Sequence, residues 1–267
     1  MAIGYASPMQ QRVDNMDDVA ESAVQRLAWG VHNAVGFAFT LVWTAFWICL
    51  ALLVLLVTRR RDFALGMAAR CWAPALMAGT AARLVVQGAD GIDWSRPRLI
   101  VSNHQSVIDI CALFRAVPVP LHFLLKQEMR RVPFVGWYAR ACGMLFIERD
   151  NPRAGPRLRR EAAGLLRDGH TLCLFPEGTR SRTGAVAPFK GGAFQSAIDA
   201  GVEVLPVAIE GAGAVLPPDG FRARPGVITV RFGTPLATAG RGSGAADRQA
   251  LADAAHASVV ALLHGRA

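Results

Sequence analysis

The chain is short of acidic side chains. Across 267 residues, 20 Asp and Glu stand against 29 Lys and Arg, a formal net charge of +9. That balance points to an anionic partner: a membrane surface, a nucleic acid or a phosphorylated ligand. Cysteine is sparse and scattered. Cys49, Cys71, Cys111, Cys142 and Cys173 form no C-x-x-C pair, and their apolar neighbours predict reduced, buried thiols in a cytosolic domain. The histidines show no metal-ligand clustering, so no structural zinc is expected. No G-x-S-x-G elbow offers a serine nucleophile, and no G-x-x-x-x-G-K-[ST] loop offers a phosphate cradle. Gly211-Ala212-Gly213 lacks the third glycine of a dinucleotide fingerprint. Nucleic-acid binding rests on charge alone, since no recognised module is present. Residues 1–33 lack the basic start and nearby apolar core of a cleavable signal peptide.

What the chain has in excess is hydrophobicity, 52% of its residues. One segment, Ala34–Val57, carries no charge and is long enough to cross a bilayer. Trp43 and Trp47 add amphipathic anchors, and Arg59, Arg60 and Arg61 follow at once, which would place the downstream domain in the cytosol. Phe63–Val86 is a weaker apolar stretch broken by Arg70, Pro74 and Arg83, and it reads as an interfacial helix. Two adjacent helices that embed without crossing are the alternative to one true span. An N-terminal membrane-associated region over residues 1–86 and an α/β domain over 87–267 are expected.

From Gln87 onward, short apolar runs alternate with helical stretches. Expected strands are Arg98–Ser102, Leu121–Leu125, Met144–Glu148, Thr171–Phe175, Val204–Glu210 and Val227–Phe232. Expected helices are Ser106–Arg115, Pro152–Arg167, Gly191–Ala200 and Ala246–Leu263. The alternation predicts an α/β fold with a mixed, largely parallel sheet flanked by helices.

The chemistry concentrates in two strand-to-turn crossings. In Leu99–Asp109 (LIVSNHQSVID), an apolar strand runs into Ser102, Asn103 and Ser106, then a helical pattern. If His104 lies just before the first turn, Asp109 can reach back to its imidazole. A carboxylate on one ring nitrogen fixes the tautomer and raises the basicity of the other, making a general base for a hydroxyl group. The second crossing is Phe175-Pro176-Glu177-Gly178-Thr179-Arg180-Ser181. Gly178 permits positive φ or a close ligand approach. Arg180 offers a planar fork for a phosphate, and Glu177 would hold that arginine or accept a substrate hydroxyl. Arg182 and Lys190 add positive charge. Between the crossings, Lys126, Arg130 and Arg131 are placed to meet phosphates, and Val132, Phe134, Val135 and Trp137 to meet lipid or line an acyl channel. Arg149 follows an expected strand and so falls at a sheet edge.

With these residues in view, the chain resembles the 1-acyl-sn-glycerol-3-phosphate acyltransferase family, in its bacterial form. The first family motif, N-H-x-x-x-x-D, matches Asn103, His104 and Asp109. The second matches Gly143, Phe146, Ile147 and Arg149, the third Phe175 to Ser181 without a gap, and the fourth Val204, Leu205, Pro206 and Val207. One lysine, Lys190, stands where members often carry two. The resemblance implies transfer of a fatty acyl group from acyl-coenzyme A or acyl carrier protein to the sn-2 hydroxyl of lysophosphatidic acid, giving phosphatidic acid for phospholipid biosynthesis. It implies His104 as base and Asp109 as its support. Arg149, Glu177, Gly178, Thr179, Arg180 and Lys190 would bind substrate, with no metal or cofactor. The setting would be the cell inner membrane with its anionic lipid, the active site facing the cytoplasm. Another lysolipid acceptor, such as a lyso-ornithine lipid, and a catalytically silent membrane lipid-binding protein are the alternatives.

Overall fold

The computed structural model describes residues 23–148, 154–242 and 244–265. Helix α1 (Ala23–Thr58) comes first. A broken helix follows, formed by α2 (Arg61–Met67), a wide π-type turn at Ala68–Trp72, and α3 (Ala73–Gly79). Then β1 (Ala82–Gln87) opens a seven-stranded sheet. The expected interfacial stretch Phe63–Val86 is corrected here, because its last residues are strand.

The remaining elements, in chain order, are β2 (Leu99–Ser102), α4 (Ile108–Ala116), β3 (Leu121–Lys126), α5 (Val135–Ala141), β4 (Leu145–Ile147), α6 (Ala154–Arg167) and β5 (Thr171–Leu174). After these come α7 (Gln195–Ala200), β6 (Val204–Glu210), α8 (Ala212–Val215), β7 (Gly226–Phe232) and α9 (Ala245–Leu263). The expected helix over residues 191–200 is split into a 3-10 turn at Gly191–Ala193 and α7.

The sheet order is β1-β7-β6-β2-β5-β3-β4. Pairing is parallel except between β6 and β7. The central strands β2 and β5 are buried at every residue. Helices cover both faces there, so these strands read as continuous apolar runs rather than alternating ones. β7 alternates instead, with Ile228, Val230 and Phe232 inward.

The sheet separates two apolar cores. One packs beneath α1 to α5 and α8, with Phe114, Phe123 and Leu113 among its members. The other packs beneath α6, α7 and α9 around Leu166, Phe194 and Leu251. Full burial of such side chains contributes about 1.5–3 kcal/mol each. Cys111, Cys142 and Cys173 are buried as expected, but Cys49 is exposed on α1. Burial pushes the Cys111 thiol up to about 12 and the Cys142 thiol up to about 11, so neither ionises near neutrality.

Candidate active site

The carboxyl ends of β2 and β5, neighbours in the sheet, carry the two crossings read from the sequence. Such ends are where open α/β sheets place ligands. Asn103, 1% exposed, ends β2 by acting as one more strand residue. Its Nδ2 donates to the Ile209 carbonyl and its Oδ1 accepts the Ile209 N–H, both at 2.8 Å, which pins the turn to β6.

Asp109 sits in the first turn of α4, where a carboxylate favours the helix dipole. Its Oδ2 accepts the main-chain N–H groups of Gln105 and Ser106, both at 2.8 Å. The same oxygen accepts His104 Nδ1–H at 2.7 Å. Asp109 is fully buried, while the His104 side chain keeps 17% exposure. An ionised carboxylate only accepts, so the proton belongs on Nδ1 and the Nε2 lone pair is left for substrate. Phe175 stacks flat on the imidazole, with centroids 3.9 Å apart and planes at 12°, so the ring cannot tilt away.

The turn after β5 clamps His104 through its main chain. Glu177 Oε1 accepts the His104 N–H at 2.7 Å, and the Ser181 N–H donates to the His104 carbonyl at 2.7 Å. Glu177 Oε2 accepts from Ala187 N–H at 2.8 Å. Burial raises the Glu177 pKa, opposed by these two amides. Glu177 is 4% exposed, and each of its oxygens accepts a main-chain N–H, so the structure shows it fastening the two turns. Gly178 has φ of +78°, and a Cβ there would lie 2.9 Å from Lys190 Nζ. Lys190 thus folds over Gly178. Thr179 and Arg180 continue the same turn and are exposed. Arg149 lies outside the described residues.

An apolar cavity of about 140 Å³ adjoins the site, with Trp47, Ala64, Trp72, Phe114, Phe123 and Tyr138 in its wall. Phe123 also stacks with Phe175 at 6.5 Å, so an aromatic trail runs from the His104 ring to the cavity. Of the residues expected to line a channel, only Val135 does. Val132 and Trp137 are exposed, and Phe134 packs on Trp137 at 5.1 Å. Lys126 pairs with Glu128 at 2.8 Å. Trp72, which sequence reading missed, belongs to the weaker apolar stretch. Its Nε1–H donates to Thr44 Oγ1 at 3.0 Å, and its carbonyl accepts Trp43 Nε1–H at 3.3 Å. The paired tryptophans before and after the arginines were the available signal. Among the described residues no group of His, Cys, Asp and Glu could hold a metal ion.

Residues 83–210 match the family model Acyltransferase. A 1-acyl-sn-glycerol-3-phosphate acyltransferase of Pseudomonas aeruginosa is 34% identical over 172 residues, 64% of this chain and 65% of that protein. One from Chlamydomonas reinhardtii is 37% identical over 136 residues, 51% of this chain and 41% of the relative. The chain thus spans less than two thirds of the length of these relatives. The crystal structure of the 1-acyl-sn-glycerophosphate (LPA) acyltransferase from Thermotoga maritima superposes with a TM-score of 0.75 at 27% identity, covering 89% of this chain and 97% of that one. Four motifs in order, the clamped His104–Asp109 pair and these matches agree: residues 83–210 of the chain are similar to the acyltransferase family.

Proposed function

We propose that the protein transfers a fatty acyl group from a thioester donor to the sn-2 hydroxyl of lysophosphatidic acid, yielding phosphatidic acid for phospholipid biosynthesis. The observation that carries this reading is the His104 Nδ1–H bond to Asp109, which leaves Nε2 free at the carboxyl ends of the central strands, linked to an apolar cavity through Phe175 and Phe123. Nε2 accepts the hydroxyl proton as the oxygen attacks the thioester carbonyl. The tetrahedral intermediate then collapses, the C–S bond breaks, and the imidazolium returns its proton to the departing sulfur. Asp109 supports the imidazolium throughout. The leaving thiol is good enough that no enzyme nucleophile is required. Lys190 and Arg180 supply the charge for the acceptor phosphate, together with Arg149. The apolar cavity receives the acyl chain. The donor is acyl-coenzyme A or acyl carrier protein.

The membrane reading follows from α1. Its segment Leu27–Thr58 holds an 18-residue stretch with a mean hydropathy of 2.5 and is long enough to cross a bilayer. Yet it lies lengthwise along the rest of the molecule. Asn33 Oδ1 accepts from Ala223 N–H at 3.0 Å, Phe37 meets Phe221 edge-on at 5.4 Å, and Trp43 reaches Trp72. The outward face bears Val35, Leu41, Val42, Phe46, Leu53 and Leu56, all exposed. A helix fastened to the domain over this length embeds in one leaflet rather than crossing alone, with Arg59 to Arg61 at headgroup level. The setting is the cytoplasmic face of the inner membrane, rich in anionic lipid.

An assay of the purified protein in detergent, with both donors against lysophosphatidic acid and other lysolipids including a lyso-ornithine lipid, tests the assignment. Transfer to lysophosphatidic acid is expected. Robust transfer only to a phosphate-free acceptor would overturn the substrate, and no transfer with any pair would leave a lipid-binding protein.

A further inference from the structure

A charged pocket lies on the opposite face of the sheet from the apolar cavity. It is about 290 Å³, and Arg159 and Arg160 of α6, Arg248 of α9, and Gln195, Asp199 and Pro156 line it. Neighbouring arginines are satisfied: Arg157 binds Glu161 at 2.7 Å, and Arg167 donates to the Asp199 carbonyl at 3.1 Å. The side chains of Arg159, Arg160 and Arg248 make no hydrogen bond or ion pair among the described residues. The one carboxylate in the pocket, Asp199, accepts Gln195 Nε2–H at 2.7 Å. That bond fixes the orientation of the Gln195 amide, and its Oε1 is left buried without a donor. Gln195 is only 6% exposed. A buried acceptor without a partner is costly unless something meets it. The pocket therefore offers guanidinium forks for anionic oxygens and one acceptor for an N–H or O–H group. A nucleotide phosphate, with its ring amine or sugar hydroxyl, has both chemistries.

The pocket connects to His104 through one segment, residues 187–195. At its start, Ala187 binds Glu177, which clamps His104. In its middle, the Phe189 carbonyl accepts from Gln249 Nε2–H at 3.3 Å, next in sequence to Arg248. At its end stands Gln195. Fully extended, this segment spans at most roughly 28 Å, and its 3-10 turn shortens it. The apolar cavity, His104 and the arginine pocket thus succeed one another across the sheet: one core face, the carboxyl edge, the other core face. A donor with an apolar tail, a central thioester and a polyanionic end has the same sequence of chemistry.

We propose that this pocket holds the phosphates at the nucleotide end of an acyl-coenzyme A donor. The inference rests on the acyl-transfer reading above and deepens it by naming the donor. The test compares the unmutated protein with Arg159→Ala/Arg160→Ala and, on a separate helix, Arg248→Ala. Each variant should raise KM for acyl-coenzyme A about tenfold or more with kcat unchanged, as loss of charge-assisted contacts requires. KM for lysophosphatidic acid should not move. The loss should vanish with an S-acyl pantetheine donor, whose arm stops short of the phosphates. Adenosine 3′,5′-bisphosphate should compete with acyl-coenzyme A on the unmutated protein and bind the variants more weakly. Equal losses with both donors, a shift in the lysophosphatidic acid KM instead, or donor kinetics unaffected by either variant would overturn the proposal. Should the unmutated protein transfer nothing, the acyl-transfer reading fails, while calorimetry with adenosine 3′,5′-bisphosphate still scores the pocket for or against.

Discussion

Glu177 and His104 are 73 residues apart, and a Glu177 carboxylate oxygen accepts the His104 main-chain N–H at 2.7 Å. Its second oxygen holds Ala187 at 2.8 Å. Glu177 therefore fastens the turn after β5 to the turn after β2 and sets where the imidazole stands. Glu177→Gln keeps the size but presents an NH2 to one of two N–H donors. One bond to a charged group is lost, about 1.5–3 kcal/mol. We expect kcat to fall roughly 10- to 100-fold, with KM for both substrates nearly constant and a folded protein by circular dichroism. A rise in acceptor KM at constant kcat would return Glu177 to substrate contact.

His104→Ala should lower kcat by about 10²–10⁴-fold, the usual weight of a general base. Asp109→Asn is the more discriminating change. Asp109 Oδ2 accepts three hydrogen bonds, from His104, Gln105 and Ser106. An asparagine that keeps its oxygen toward the amides still loses the charge that holds the proton on Nδ1, so the tautomer with Nε2 free is no longer favoured. Steady-state kinetics should show kcat reduced with KM little changed. Weaker acceptor binding at an unchanged kcat would assign Asp109 to the substrate.

Local patterns carried most of the reading where burial is two-sided. β2, β5 and β6 announced themselves as apolar runs because helices cover both faces, and the H-x-x-x-x-D spacing was enough to anticipate the Asp109 bond. β1 was missed for a physical reason. Its residues are only partly buried, Arg83 interrupts it, and its partner β7 lies some 144 positions downstream, as the Gln87–Arg231 pair shows. The main-chain role of Glu177 was not legible for a similar reason: a carboxylate beside an arginine in sequence suggests an ion pair, and only the folded chain brings the amides of His104 and Ala187 to it. The Phe175 stack and the arginine pocket join residues from separate helices and strands, which no spacing rule reports.

His122 predicts an acid sensitivity of the fold. It is 1% exposed on β3, and neither ring nitrogen has a hydrogen bond of acceptable geometry, although Thr171 main chain lies close. Burial first, and the facing His170 ring at 4.9 Å second, depress its pKa to about 4. The unfolded chain binds a proton near the ordinary value of about 6.5. Between those values the unfolded state holds more protons, so stability declines as pH falls from about 6.5 toward 4, by roughly 2–3 kcal/mol in total. His122→Leu removes both unmet nitrogens and should flatten this decline. Thermal melts in detergent at pH 7 and pH 5 decide it: Tm should fall less on acidification in the variant, and equal falls would exonerate His122.

The final prediction concerns how the acceptor is chosen. On the proposed reading the acceptor is lysophosphatidic acid, which carries a phosphomonoester close to the hydroxyl that reacts, so its selection demands cations near His104. The turn after β5 supplies them without competing carboxylates: Glu177 is occupied by amides, Lys190 leans over Gly178, and Arg180 is exposed on the same turn. The closeness of Lys190 Nζ to Gly178 depends on there being no side chain at that position. Gly178→Ala adds a methyl group where only 2.9 Å is open and where φ is +78°, so it must push the ammonium aside and strain the turn. Arg180→Lys keeps the charge but removes the bidentate fork. Both variants should raise KM for lysophosphatidic acid about tenfold or more while sparing an acceptor that lacks the phosphomonoester, since each charge-assisted contact contributes about 1.5–3 kcal/mol. Competition assays with the two acceptors in one mixture measure that ratio directly. If Arg180→Lys depresses both acceptors in parallel, the guanidinium serves the turn or the donor, and selectivity must come from residues other than those of the β5 turn.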